Sequence, residues 1–261
     1  MKNQIIVFFF LVFFTNNSFS QVEKFPQDFK NFFTVGGDIA TAPLHFDSKD
    51  WILFSSTIAV TAATMAADNN IRAFALRSRS NLNNNLFNFD KYFYIPTAAV
   101  SVFGIYGYGL FAKDDNIRKL GLRLGEATFY ASIIDVLLKG IIGRRRPEEN
   151  FGDVTFKPFK FDLEKCSLPS GHTILAFSFA SVMAHQVDNI YWKIGWYSFA
   201  SFVGMSRIYH DKHWSSDVIA AAAIGAFIGD FVNHHYTNSD DQSTNVSLLF
   251  SYNQLGLRYS F

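Results

Sequence analysis

The feature that most limits how this chain folds is a succession of six helix-length stretches separated by polar breaks. Most of them are apolar, and the third also carries Arg123, Glu126 and Asp135. Each stretch has the length of an ordinary helix and exceeds that of an ordinary strand. No internal repeat accompanies them. The sequence therefore predicts an all-α fold, a six-helix bundle. The stretches cover residues 51–67, 92–112, 117–146, 171–187, 190–207 and 216–235.

The segments around these stretches are more polar. Residues 21–50 contain Gly36, Gly37 and two prolines, which predicts an irregular lead-in to a helical domain over residues 51–236. Residues 68–91 carry arginines and many asparagines. This composition predicts a surface connection whose arginines are solvated.

The tail over residues 237–261 has a two-residue periodicity. Apolar residues alternate with polar ones before and after Asn253-Gln254, which predicts a short β-hairpin. Two strands cannot close a barrel, so a hairpin packed on the domain is the favoured interpretation. The alternating residues are Val246, Leu248, Phe250 and Tyr252, followed by Leu255, Leu257, Tyr259 and Phe261.

The first twenty residues have the pattern of an export signal. Lys2 gives a positive start, residues 5–14 form an apolar core, and residues 18–20 are a small-x-small cleavage site. The apolar core is too short to span a bilayer comfortably. The sequence thus predicts a signal peptide over residues 1–20 and an exported protein, with an uncleaved anchor as the alternative.

Composition argues against several classes of protein. The formal net charge of +1, without a basic stripe, argues against nucleic-acid binding. The single cysteine, Cys166, excludes an internal disulfide and a thiolate-rich metal site. The mean hydropathy of +0.09 lies between those of soluble and polytopic membrane proteins. A membrane-spanning bundle and a soluble bundle are therefore both open.

One polar break concentrates chemically active side chains. Residues 206–217 read Ser-Arg-Ile-Tyr-His-Asp-Lys-His-Trp-Ser-Ser-Asp. His213 and Asp217 are four positions apart, so on a helix the carboxylate reaches the imidazole. Such a pair suits a nucleophilic histidine, whose second nitrogen is left free to attack. Arg207 offers a planar, permanently charged donor to an oxyanion.

A second cluster lies near the end of the third apolar stretch. Lys139 and Arg146 are seven positions apart, nearly two helical turns, so both point the same way on a helix that ends before Pro147. A point charge beside a bidentate fork suits a phosphate. Arg144 and Arg145 fit a basic helix end, favoured by the helix dipole or by lipid headgroups.

The third cluster is Pro169-Ser170-Gly171-His172, which opens an apolar stretch. Ser170 at the cap and the amide of Gly171 predict an anion site at a helix N-terminus. His172 is placed there to exchange a proton. Because successive helices of a bundle alternate in direction, all three clusters are expected at the same end.

Together the three clusters resemble the three-part signature of the type 2 phosphatidic acid phosphatases. That superfamily also includes bacterial class A acid phosphatases and vanadium haloperoxidases. The resemblance covers about residues 92–235 and implies a helical bundle of that type. The matching positions are Lys139-x6-Arg146-Pro147, Pro169-Ser170-Gly171-His172 and Ser206-Arg207-x5-His213-x3-Asp217.

The resemblance implies phosphoryl transfer through a phosphohistidine, without a metal or another cofactor. His213 is the expected nucleophile, Asp217 orients it, and His172 is the expected general acid and base. Phosphate oxygens are held where charge gathers in the transition state. The expected phosphate-binding residues are Lys139, Arg146, Ser170, Gly171 and Arg207.

The expected substrate is a phosphomonoester or pyrophosphate of a lipid, of the phosphatidate or polyprenyl pyrophosphate type. A soluble periplasmic acid phosphatase is the alternative, and a haloperoxidase is a third hypothesis. The expected location is the cell envelope, in association with the membrane and with the active end facing the periplasm. If all six helices crossed the membrane, however, the number of crossings would place that end in the cytoplasm.

Overall fold

A computed structural model describes residues 23–91, 95–160, 162–242, 246–251 and 254–259. These residues confirm the helical fold class, with more helices than the six that the sequence predicts. Short 3₁₀ turns at Ala42–His45, Asn88–Lys91 and Pro147–Glu149 join some of them. The α-helices of the described ranges are α1 (Phe25–Thr41), α2 (Ser48–Met65), α3 (Asp68–Arg77), α4 (Asn81–Phe87), α5 (Ile95–Ala112), α6 (Asp115–Ile142), α7 (Gly171–Ala184), α8 (Ile190–Tyr209) and α9 (Ser215–Gln242).

The polar breaks between helices act as helix caps. The Asp47 carboxylate accepts hydrogen bonds from two backbone amides in the first turn of α2, at 2.7 and 2.9 Å. Asp114 and Asn189 cap α6 and α8 in the same way. Gly143, with φ of +62°, ends α6 in the left-handed conformation that favours glycine. These caps fix where each helix starts and stops.

Helix α7 lies at the centre of the bundle and packs against α6, α8 and α9. Its contact with α9 is close, because a Cβ at Gly225 would lie 2.4 Å from the carbonyl oxygen of Ile174. The core beside it contains Leu124 of α6 together with Ile228 and Val232 of α9, all buried. The N-terminus of α7 is therefore held by neighbours on several sides.

Three segments differ from their predicted structure. The lead-in predicted as irregular contains α1, which packs on α6, where Tyr130 Oη donates a hydrogen bond of 2.6 Å to the Phe32 carbonyl. The predicted surface connection contains α3 and α4. Helix α6 ends at Ile142, before the predicted end at Arg146, because Gly143 turns the chain.

Two of the described helices are long and apolar enough to cross a membrane by length and composition. They cover Ile95–Ala112 and Ser215–Tyr236. Helices α2 and α3 form a pair bent by 59°, which gives a third crossing if the pair acts as one broken span. The spans at 95–112 and 215–236 agree with two of the predicted apolar stretches.

The tail contains the predicted hairpin. Strands β1 (Val246–Ser251) and β2 (Gln254–Tyr259) pair antiparallel. Tyr252 and Phe261, which the sequence pattern also assigns to the hairpin, lie outside the described residues. The predicted signal peptide over residues 1–20 lies outside them as well.

Candidate active site

The three sequence clusters meet at one end of the bundle, as the alternation of helix directions predicts. Helix α6 ends and α7 begins at this end, and α8 and α9 meet there through the turn after Tyr209. The approach of α6 to α7 is tight. A Cβ at Gly171 would lie 3.0 Å from Asp135 Oδ2 and 3.1 Å from Lys139 Nζ. Glycine thus allows the start of α7 to sit against the last turns of α6.

Lys139 is held in place by its own helix. Its Nζ donates a hydrogen bond of 2.8 Å to Oδ2 of Asp135, one turn earlier, and both residues are buried. A lysine with one fixed partner keeps two further N–H donors. Asp135 therefore orients Lys139 at the N-terminus of α7 and leaves two of its N–H donors unused.

Arg146 reaches the site by a different route from the predicted one. It does not continue α6, because the chain turns at Gly143 and runs as a short extended segment. This segment pairs with residues 155–157 on one side and residues 166–167 on the other. The bonds join Arg145 N to Thr155 O at 2.9 Å, Lys157 N to Gly143 O at 2.8 Å, and Ser167 N to Arg144 O at 2.8 Å.

His213 lies in the turn that precedes α9. The prediction that it shares a helix face with Asp217 is therefore wrong. Its side chain is buried, and Nδ1 lies 2.7 Å from the carbonyl oxygen of Ser167. Asp217 Oδ2 is 3.8 Å from the same nitrogen, beyond hydrogen-bond distance. The Ser167 carbonyl, rather than the Asp217 carboxylate, is the direct partner of the ring.

This contact determines the protonation of the ring. A carbonyl oxygen only accepts, so Nδ1 carries the hydrogen and Nε2 of the neutral ring keeps its lone pair. Burial, together with the charges of Arg207, Lys139 and Arg146, holds the pKa of His213 well below its usual value of 6.5. The imidazole is therefore neutral at physiological pH, with an unprotonated Nε2.

After burial, the charges of three cations lower the pKa of His213. Lys139, Arg146 and Arg207 come from three separate segments, and each disfavours a positive charge on His213. We refer to these three residues as the cation cluster. Nε of Arg146 is buried and has no hydrogen-bond acceptor among the described residues. A planar, undersatisfied guanidinium beside two more cations is suited to an anion such as phosphate.

Ser170 and His172 open α7 beside this cluster. Ser170 is buried and stands at the N-cap position, but its side chain makes no capping bond, contrary to the prediction. Its Oγ instead accepts a hydrogen bond of 2.9 Å from Thr173 Oγ1, and its amide lies 3.4 Å from the Asp217 carbonyl. His172 is half-buried in the first turn of α7.

Asp217 is engaged on both oxygens by groups behind His213. Oδ2 accepts a hydrogen bond of 2.9 Å from the Trp214 amide, which caps α9. Oδ1 accepts one of 2.7 Å from Arg144 Nη1. The carboxylate is thus fixed 3.8 Å from the ring as a neighbouring negative charge.

Arg144 is a residue that sequence reasoning misassigned. Instead of lying at a basic helix end favoured by the helix dipole or by lipid headgroups, it is fully buried and makes five hydrogen bonds. These bonds go to side chains of Asp68, Ser216 and Asp217 and to the Asp153 carbonyl. We refer to Asp68, Arg144, Ser216 and Asp217 as the buried network.

Comparison with known families agrees with this geometry. A family model described as the PAP2 superfamily matches residues 120–240. Every position of the signature, from Lys139 to Asp217, lies within that segment. Residues 120–240 of the chain therefore resemble the PAP2 superfamily.

Individual relatives match parts of the chain. A lipid A 1-phosphatase of Porphyromonas gingivalis is 39% identical over 66 residues, which cover 24% of this chain and 15% of that protein. A lipid A 1-phosphatase of Rhizobium johnstonii is 31% identical over 110 residues, or 41% of this chain and 44% of that protein. The chain thus spans less than half the length of these curated relatives.

A solved structure shares the PAP2 helical fold. The transmembrane PAP2-type phosphatidylglycerolphosphate phosphatase of Bacillus subtilis matches with a TM-score of 0.57 and 22% sequence identity. The match covers 71% of this chain and 94% of that chain. It extends the likeness in fold well beyond residues 120–240.

Helix α3, which lies before the PAP2 match, contributes directly to the site. Asp68, at its first position, accepts hydrogen bonds from Arg144, Ser216 and the Ser215 hydroxyl. Arg72, one turn later, forms an ion pair of 2.7 Å with Asp211 in the turn that carries His213. The prediction that these arginines are merely solvated is wrong for Arg72. Asp68 brings a second carboxylate to Arg144, which leaves the buried network with one net negative charge.

Proposed function

We propose that this protein is a metal-independent lipid phosphatase that transfers a phosphoryl group to His213. The proposal is carried by one observation: the buried imidazole of His213 has its Nδ1 on a carbonyl, and burial and three nearby cations lower its pKa. A nucleophilic histidine needs an unprotonated nitrogen and a phosphate held in front of it. The Ser167 carbonyl supports the first requirement and the cation cluster supports the second.

In the first step, Nε2 of His213 forms a bond to phosphorus while the bond from phosphorus to the lipid oxygen breaks. His172 donates its proton to that oxygen, which leaves as an alcohol or as a lipid monophosphate. The equatorial oxygens rest on the cation cluster, the Ser170 hydroxyl and the Gly171 amide. Charge that gathers on these oxygens in the transition state is thereby stabilised.

In the second step, water attacks phosphorus and releases inorganic phosphate. His172, now deprotonated, accepts a proton from the water, and His213 leaves as the neutral ring. Between the two steps the phosphorylated ring carries a positive charge. Asp217, 3.8 Å from Nδ1, stabilises it as part of a network with one net negative charge. The carboxylate thus acts through its charge rather than through a direct hydrogen bond.

An apolar groove favours a lipid as the substrate. It has a volume of about 460 Å³ and lies between α1, α5 and α6, with Phe29, Val102 and Phe129 in its wall. Ser132 and Leu175 also line it, and Ser132 is roughly two helical turns from Lys139. We assign the groove to an acyl or prenyl chain whose phosphate reaches the cation cluster. The names of the lipid A 1-phosphatase relatives agree with this substrate class.

We further propose that the protein is exported and that its active end faces away from the cytoplasm. The signal pattern over residues 1–20 supports export. A cysteine placed at Lys160 in a Cys166→Ser chain should react with a membrane-impermeant maleimide in spheroplasts. Labelling only after lysis would contradict the orientation.

The central test is phosphate release from phosphatidate, a polyprenyl pyrophosphate and a small soluble phosphomonoester. The purified protein is expected to hydrolyse at least one lipid and to prefer it over the soluble ester. His213→Ala should lower the rate by at least about 10⁴-fold, because it removes the nucleophile. Excess EDTA should leave the rate unchanged.

The matched control is His234→Ala. His234 is exposed and lies on α9 far from the active end, so its removal should leave turnover unchanged. Full activity in His213→Ala would contradict the phosphohistidine mechanism. A clear preference for the soluble ester would replace the lipid phosphatase with the acid phosphatase alternative.

A further inference from the structure

A second polar pocket lies on the connection between α6 and α7. Its volume is about 210 Å³, and it is separate from the apolar groove between α1, α5 and α6. Its charged lining consists of Arg145, Lys157, Lys160, Asp162 and Lys165, and Cys166 forms part of its floor. Four cations and one carboxylate give it a formal charge of +3. The phosphoryl-transfer mechanism uses none of these side chains.

The backbone that carries this pocket is ordered by pairing. Residues 143–145 lie between residues 155–157 and residues 166–167, joined by the hydrogen bonds described above. The Sγ of Cys166 adds a contact of 3.8 Å to the Lys160 carbonyl. Lys157 and Lys160 therefore project from a framework tied to α6 and not from an unsupported loop.

The same framework forms one wall of the candidate active site. Ser167, next to Cys166, provides the carbonyl that holds Nδ1 of His213. Burial raises the pKa of the Cys166 thiol, and the charges of Lys139 and Arg146 oppose that rise. Two members of the cation cluster thus act on a residue of the pocket. Cys166 thus lines the pocket while the adjacent Ser167 contacts His213.

Acidic neighbours offset only part of the positive charge. Lys165 pairs with Asp162 at 3.0 Å, and Arg145 pairs with Glu149 at 3.1 Å. Lys157 lies over the Phe151 ring at 5.5 Å. No carboxylate of the described residues forms an ion pair with Lys157 or Lys160. Two ammonium groups therefore remain available at the pocket for an anion.

We propose that this pocket binds a second anionic group of the substrate, a phosphate or phosphodiester in the same headgroup as the phosphate that is hydrolysed. The inference rests on the proposed lipid phosphatase function and specifies its substrate class. A headgroup with two anions places one on the cation cluster and the other on Lys157 and Lys160. A headgroup with one anion uses the cation cluster alone.

The test compares two lipids with the same acyl chains in neutral detergent micelles. Phosphatidylglycerol phosphate carries a terminal phosphate and an internal phosphodiester, whereas phosphatidate carries a single phosphate. The variant is Lys157→Gln with Lys160→Gln. The control is Lys49→Gln with Lys193→Gln, which removes the same charge from the starts of α2 and α8, at the opposite end of the bundle.

The pocket variant is expected to lower kcat/KM for phosphatidylglycerol phosphate by about fivefold to tenfold and to leave phosphatidate turnover within about twofold. The control variant should change kcat/KM for neither substrate. Equal losses on both lipids would overturn the proposal and assign the lysines to the micelle surface. Unchanged rates on both would also overturn it.

Two further arms separate other causes. If free phosphate fills the pocket instead, added inorganic phosphate will stimulate phosphatidate turnover in the wild type but not in the variant, which would overturn the proposal. If the wild type hydrolyses neither of these lipids nor the polyprenyl pyrophosphate, the proposed function fails. Calorimetric binding of the same two lipids then tests, independently of turnover, whether the pocket binds a second anionic group. Tighter binding of phosphatidylglycerol phosphate that the variant loses supports it, and equal binding refutes it.

Discussion

Two groups of charges flank His213, and they differ in how fully their hydrogen bonds are satisfied. In the buried network, Arg144 is fully enclosed and bonds to side chains on α3 and α9. In the cation cluster, Arg146 has a buried Nε with no acceptor among the described residues. The two arginines are only two positions apart in the sequence. Arg144 bonds to Asp68 and Asp217, whereas the charge of Arg146 acts on His213.

This difference indicates that the cation cluster binds the ligand, whereas the buried network positions the groups around the nucleophile. A saturated guanidinium has no donor left for a phosphate, so Arg144 acts by fixing the Asp217 carboxylate and balancing its charge. A guanidinium with an unused donor, such as that of Arg146, can form a hydrogen bond with an anion and is stabilised by it. The comparison therefore predicts that substitutions on the two sides of His213 fail in different ways. One side should lose stability, and the other should lose catalysis.

The largest effect is expected for Arg144→Gln. The change leaves Asp68 and Asp217 buried without their shared cation, which costs about 3–5 kcal/mol of stability. Thermal unfolding in detergent, followed by circular dichroism, measures the loss. Turnover should fall in proportion to the folded fraction.

Arg144→Lys gives the matched control for this change. It keeps the positive charge but cannot reproduce a planar set of five hydrogen bonds, so an intermediate melting temperature is expected. Wild-type stability in Arg144→Gln would mean that the network contributes nothing, and the contrast between the two sides would disappear.

The second prediction concerns the opposite side. Arg146→Gln should lower kcat by about 10²- to 10³-fold, because it removes a donor to the transferring phosphoryl group. Its melting temperature should stay close to that of the wild type, since the Nε of Arg146 has no acceptor within the described residues and its ion pair with Glu148 is long, at 3.8 Å. Phosphate release and thermal unfolding on the same preparation give both values. A large loss of stability with normal kcat would reverse the assignment of the two arginines.

The part of the site that faces the phosphate was predictable from the sequence, because its residues lie at or near successive helix ends. Alternating helix directions bring Lys139, Gly171 and His213 to one end of any up-and-down bundle. Periodicity also located most of the helices. Gly143 was a readable stop signal that was overlooked, and with it the end of α6 at Ile142 would have been placed correctly.

The buried network was not predictable in the same way. Asp68 and Arg144 are 76 positions apart, and neither lies on a periodic face that announces burial. A charged residue after an apolar run reads as a helix end in solvent, since charged side chains are rarely enclosed without a partner. Helix α1 is different, because Pro26 near its start and the spacing of Phe25, Phe29 and Phe32 carried a helical signal that was missed.

A smaller effect is expected at the contact between α6 and α7. In Gly171→Ala the new Cβ would lie 3.0 Å from Asp135 Oδ2 and 3.1 Å from Lys139 Nζ, so the lysine must shift by a few tenths of an ångström. Such a displacement of one phosphate ligand should lower kcat by about tenfold. Gly195→Ala on α8 is the control, because a Cβ there meets nothing within 4 Å. Equal activities of the two variants would mean that a small shift of Lys139 does not affect catalysis.

The smallest effect is a shift in pH dependence that links the cation cluster to the nucleophile. Burial and the charges of Arg207, Lys139 and Arg146 hold the pKa of His213 well below 6.5. The reactive neutral ring therefore persists as pH falls through 6.5, and protonation removes activity only below that value. In Arg146→Gln one repulsive charge is absent, so protonation becomes easier and the acidic limb of kcat/KM should move upward by a fraction of a pH unit.

The comparison of the two enzymes isolates this shift from the ionisation of the substrate. The phosphate group of the lipid titrates near pH 6 in both assays, so its contribution cancels when the two acidic limbs are subtracted. Lys193→Gln, at the far end of the bundle, should leave the limb in place. A limb that moves downward in Arg146→Gln would mean that Arg146 does not repel the protonated ring. The cation cluster would then act on the substrate alone, and the neutral state of His213 would have to come from burial.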